Sequence, residues 1–324
     1  MDEVSKFIQE SIQTVIEEEI KAEQSTKDIE NLSKKLDNID ISDITQKLLK
    51  NMSNDIKIDY KQNMYEYVSN FRLVEKEFLA RHEYKWNRAF ASSEVFYIMI
   101  KEAVEKFTEH VDSIDYQEKQ YNIYTYIALL HIHGRALQQF LEIITLVKNG
   151  FADGAYARWR SMYELTIMAY FIDEHGENTA KAFIESSETE DRYEWARASN
   201  IFEHKKGRFI SLNDIQKSLG EFHELWEEQY ILANRVVHAS PQGTFGRLAN
   251  MTSENVIPIG RSDYGITTAA EHSAISLSQI TIVFLKQFHH GDSVLAMDYI
   301  YNWVDVIRDN YLSLHEEIFS KDNS

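Results

Sequence analysis

Residues 151–173 read FADGAYARWRSMYELTIMAYFID, and this stretch decides the fold. At 100° per residue Tyr156, Tyr163, Ile167, Tyr170 and Phe171 fall together, while Met162, Leu165, Ala169 and Ile172 fall opposite, so a helix here has no broad polar face. Such a helix is expected to be buried, with the other helices packed on it. Yet its first half carries Arg158, Arg160 and Glu164, and ionised groups inside a core are costly unless paired or used.

Composition agrees with an all-α protein. The 324 residues include two prolines and 11 glycines, few breakers for so long a chain. A net charge of -18 argues against sequence-indifferent nucleic-acid binding, which needs a basic surface. The absence of cysteine excludes disulfides, thiolate metal sites and cysteine nucleophiles, and fits a cytoplasmic protein. The start, MDEVSKFIQESIQ, is acidic and amphipathic rather than a secretory signal. No window offers the roughly 18 apolar residues of a membrane span.

Upstream of the central stretch, residues 121–148 form a mostly apolar helical pattern closed by Asn149-Gly150, which predicts an antiparallel hairpin with the central helix. His131 and His133 lie two apart, so on a helix they point away from each other and cannot share a metal. Further upstream, the spacing predicts helices over 60–87 and 90–112. Ser42 or Asp43 is expected to cap a short helix, and an amphipathic helix over 1–22 is set either to pack on its own domain or to make a dimer contact. Downstream, helices are predicted over 179–202, 212–237, 268–288 with Thr268 as cap, and 293–319. The connection from Pro241 to Gly265 holds both prolines and four glycines, with Val256–Ile259 as an extended piece. A loop of that length is often a binding or lid element. The basic run His204–Arg208 is a candidate phosphate contact or a solvated turn. The expected organisation is an N-terminal helical extension over 1–120, a candidate assembly region, and an up-and-down helical bundle over 121–324.

The chemistry-bearing set is Arg158, Arg160 and Glu164 on the central helix, with Arg235 and His238 at the end of a later helix, just before Ser240-Pro241. Two readings stay open. In one, a buried Arg160 and Glu164 pair ties helices together, with His238 hydrogen-bonded as a satisfied core histidine. In the other, an arginine holds an anion with Tyr163 nearby, His238 transfers protons and Glu164 orients one of them. Nothing in the spacing points to a metal or a cofactor.

The segments Arg160-Ser161-Met162-Tyr163-Glu164 and Val237-His238-Ala239-Ser240 resemble an uncharacterised family of bacterial helical proteins with an R-S-x-x-E helix and a V-H-x-S helix end. The likeness covers roughly residues 121–290. That family is in turn similar to HEPN-like domains (higher eukaryotes and prokaryotes nucleotide-binding), many of which are dimeric RNA-cleaving effectors in stress or phage defence. The resemblance implies RNA cleavage with His238 as acid or base and Arg160 or Arg235 stabilising phosphate. The alternative is a non-catalytic helical module that binds a nucleotide or small anion, or serves assembly as a homodimer or with a partner protein. The chain departs from the nuclease pattern, because Arg235 and His238 have only two residues between them, where RNA-cleaving HEPN domains have about four to six.

Overall fold

In a computed structural model, residues 3–24, 40–115, 121–205, 207–238, 240–249, 260–288 and 290–320 are described. Among them the regular structure is entirely helical: α1 (Glu3–Gln24), α2 (Ile41–Gln62), α3 (Met64–Ser113), α4 (Ile123–Lys148), α5 (Ala152–Glu185), α6 (Leu212–Ser218), α7 (Glu221–Val237), α8 (Pro241–Phe245), α9 (Ile266–Leu285) and α10 (Gly291–Phe319), with short 3-10 turns between α5 and α6. Among the described residues no helix is long and apolar enough to cross a membrane.

Two compact units divide between Lys76 and Glu77, whereas the sequence reading puts the boundary at 120. The reason lies in α3, which runs without a break where two helices are expected. Nothing in Asn87-Arg88-Ala89 interrupts a helix, and Trp86, Phe90, Phe96, Ile100, Phe107 and Val111 are all buried in the same core as α4, α5, α9 and α10. In the first unit α1 packs on α2, and Asp40, rather than Ser42 or Asp43, caps α2 by accepting from the Asp43 N–H at 3.0 Å. The polar run before Asp40 and the extended piece at Val256–Ile259 lie outside the described residues.

The second unit is built on the α4–α5 hairpin. Its turn is Asn149–Phe151, with Gly150 at φ 72°. A Cβ on Gly150 would come within 2.9 Å of the Ser262 carbonyl oxygen. The antiparallel register shows in Gln139 Nε2 donating to Ser161 Oγ at 3.1 Å. At the far end the Glu177 carboxylate accepts from the Tyr124 and Thr125 N–H groups at 2.8 and 3.0 Å, so α5 supplies the cap that Asn122 does not. α9 lies against both helices: Trp159 Nε1 donates to Ser276 Oγ at 3.0 Å, and His133 Nε2 meets Thr281 Oγ1 at 3.1 Å. Burial lowers the His133 pKa to about 4, so this is a neutral core histidine, while His131 faces out.

Several boundaries differ from expectation. α5 continues past Asp173 to Glu185, kinked at Gly176 with φ 69°. The helix expected over 179–202 is instead the end of α5 followed by 3-10 turns that set Trp195 edge-on to Phe171 and Phe183. Gly220, at φ 57°, splits the helix expected over 212–237 into α6 and α7. α9 starts at Ile266 behind Gly265, not at Thr268.

A polar clamp that no sequence spacing announces holds the segment before α9. Asp263 Oδ1 lies 2.5 Å from His82 Nδ1 and Asp263 Oδ2 accepts from Lys85 Nζ at 2.6 Å. His82 Nε2 meets the Val147 carbonyl at 2.9 Å, and Arg261 Nη1 donates to the Asn149 carbonyl at 2.9 Å. Burial alone would raise the Asp263 pKa, but the bonds from His82 and Lys85 hold it down at about 2. A depressed carboxylate pKa stabilises the fold above the unfolded value near 4 and loses that contribution as pH falls through the folded value. Asp263→Asn should therefore cost about 2 kcal/mol at pH 7, and urea unfolding should show the gap to wild type closing between pH ~4 and ~2.

Candidate functional site

On α5, Arg158, Arg160, Tyr163 and Glu164 leave the helix in different directions. Arg158 turns to α4 and pairs with Glu142. Arg160 and Glu164 face α7 and are each about one quarter exposed, with Arg160 Nη2 3.1 Å from Glu164 Oε1. Tyr230 of α7 completes the set: its hydroxyl donates to Glu164 Oε1 at 3.2 Å and accepts from Arg160 Nη2 at 3.4 Å. The three groups form a closed loop of donor, acceptor and charge. Sequence reasoning pairs Arg160 with Glu164 correctly but misses Tyr230. The available signal was its place among Ile215, Leu219, Trp226 and Tyr230 on the apolar face of the later helix.

Tyr163 is fully buried, with its hydroxyl accepting from Gln216 Nε2 at 3.0 Å. It belongs to an aromatic cluster under the clamp, in which Tyr156 stacks on Trp159 at 4.8 Å. Trp226 closes on Trp159 at 5.9 Å and His272 of α9 on Trp159 at 5.0 Å. Tyr156 Oη donates to the Gln229 carbonyl at 3.2 Å and lies 3.2 Å from His272 Nδ1. Burial pushes the Tyr156 and Tyr163 phenols above their ordinary range and lowers His272 to about 4, so the cluster is neutral across the physiological range.

Arg235 stands in the last turn of α7 and His238 is its C-cap residue. Both are exposed. Eight residues separate His238 from Tyr230, about 12 Å of helix rise. Tyr230 itself bonds Glu164, so that rise carries His238 away from the Arg160–Glu164 pair. Among the described residues no hydrogen bond or ion pair joins His238 or Arg235 to Arg160 or Glu164. Ser240 then caps α8 by accepting from the Gly243 N–H at 3.1 Å, with Pro241 in its first turn. A Cβ on Gly243 would sit 2.0 Å from the Arg235 carbonyl oxygen, so only glycine lets this turn fold back on α7.

The basic run is likewise committed in part. Lys205 pairs with Asp214, and that bond holds the Asp214 pKa at about 2. Asp214 also forms a capping box with Ser211, and Lys206 lies outside the described residues. No group of three or more metal-ligating side chains occurs among the described residues.

A family model, described as a family of unknown function (DUF5677), matches residues 126–200. The match takes in the α4–α5 hairpin with Arg160 and Glu164, and stops short of Tyr230, Arg235 and His238. No curated protein matches the chain, and no solved structure matches it.

A clamp of this kind predicts coupling. In a double-mutant cycle, Glu164→Gln and Tyr230→Phe should each cost about 1 kcal/mol and couple by at least ~0.5 kcal/mol. Additive losses in chemical denaturation would mean that the three groups do not act as a unit.

Proposed function

We propose that this protein is a non-catalytic helical module that serves protein assembly, with a second copy of the chain as the partner of residues 56–74. The observation that carries this reading is an apolar row with nothing described upon it. Ile56, Tyr60, Met64, Tyr67, Phe71 and Val74 follow at steps of four and three residues, the period of a helix–helix seam, and every one is exposed, Phe71 by 63% and Val74 by 68%. The helical register carries across the joint between α2 and α3, since Asn63 N–H bonds to the Asp59 carbonyl at 2.9 Å and Tyr67 N–H to the Asn63 carbonyl at 3.1 Å. Tyr60 and Tyr67 accordingly share a face, with ring centroids 4.9 Å apart.

No described side chain of the first unit is buried, so among the described residues the unit has no core of its own. Aromatic residues and methionine are the side chains enriched in interface centres. Charge is compatible with a second copy as the partner. Residues 41–76 hold six Lys or Arg and five Asp or Glu, in a chain with 34 and 52 overall. Two such segments meet without the like-charge repulsion that the rest of the chain would impose.

A second reading is an RNA-cleaving, HEPN-like effector of stress or phage defence. What favours it is that Arg235 and His238 stand exposed together at one helix end. It stays second because Arg160 and Glu164 are engaged with Tyr230 instead.

In sedimentation velocity at about 10 µM the intact chain should run as a dimer, and Phe71→Glu/Val74→Glu as a monomer of unchanged helical content. A monomeric wild type, or a double variant that stays dimeric, would refute the assignment.

A further inference from the structure

Within the second unit, the end of α3 and the start of α10 enclose a cavity of about 230 Å³. Three groups that favour negative charge meet there. The first is the N-terminus of α10, a 29-residue helix whose N-cap, His290, makes no side-chain capping bond. Its first backbone bond runs from Val294 N–H to the His290 carbonyl, so the earlier N–H groups lack helical acceptors and the helix dipole adds partial positive charge. The second is Lys106, which lines the cavity and makes no ion pair among the described residues. The third is Ser293, only 4% exposed, which lines the same cavity and whose hydroxyl has no hydrogen-bond partner among the described residues. A hydroxyl that faces the cavity without such a partner is free to bond a ligand oxygen.

The remaining walls are mainly apolar. Phe107 and Leu295 line the cavity, with Tyr299 beside them. The His290 ring is braced by stacking on His110 at 4.0 Å. Asp292 also lines it, but its carboxylate is 82% exposed and is screened by water.

We propose that this cavity binds a small organic anion: a carboxylate or phosphate head held by the first turn of α10, Ser293 and Lys106, with a short apolar body against Phe107 and Leu295. The volume admits a ligand of about ring size and no nucleotide. The site is independent of the self-association proposed above.

The test is calorimetric titration of the full chain with phenyl phosphate. Saturable binding is expected, weakened about tenfold by Lys106→Met and again by Ser293→Ala. Ser293→Ala should leave the thermal midpoint unlowered, because the hydroxyl it removes holds nothing in the free protein. Arg160→Lys, a change in the clamp between α5 and α7, should bind as wild type does. Absence of saturation up to about 10 mM, or equal affinity in wild type and the Lys106→Met and Ser293→Ala variants, would overturn the proposal.

Discussion

The second unit depends on the burial of a helix that has no polar face. Between Ala152 and Ile172, α5 buries Tyr156, Trp159, Met162, Tyr163, Ile167, Ala169 and Phe171 completely, and no single neighbour could cover residues that point in every direction. α4, α7 and α9 must each take a side, and the 3-10 turns after α5 take its far end. Deleting one large buried aromatic from such a helix typically costs about 3–5 kcal/mol.

Three buried aromatic polar groups on this helix are consequently tied down. Trp159 Nε1 finds Ser276, Tyr163 Oη finds Gln216 and Tyr156 Oη finds the Gln229 carbonyl. Arg160 and Glu164 follow the same rule at the margin of the core, where Tyr230 joins them. Because each is about a quarter exposed, solvent screens the pair, and its contribution falls between that of a surface ion pair and that of a buried one. The contact orients α7 on α5 and leaves Arg235 and His238, further along α7, in solvent.

The all-helical class, the hairpin turning at Asn149-Gly150 and the buried central helix were legible because they rest on local periodicity and on a turn residue with φ above zero. The pairing of Arg160 with Glu164 was legible for the same reason, being a contact within one helix. Tyr230, the Asp263–His82–Lys85 clamp and the capping of α4 by Glu177 were not, because each joins residues 52 or more positions apart and no spacing rule reaches that far. The unbroken α3 reads as two helices in the sequence, whereas Trp86 and Phe90, on either side of Asn87-Arg88, sit in one core. The short helical breaks at Gly176 and Gly220 were in view as glycines. Their effect depended on which neighbours the following segment had to reach.

If the charged residues of α5 and α7 serve the fold and the protein acts by association, the purified chain has no chemistry to perform on RNA. Incubating it with total bacterial RNA, beside His238→Ala, tests that claim most directly. The predicted result is no cleavage above background from either protein. RNA degradation by wild type that disappears in a folded His238→Ala variant would contradict it.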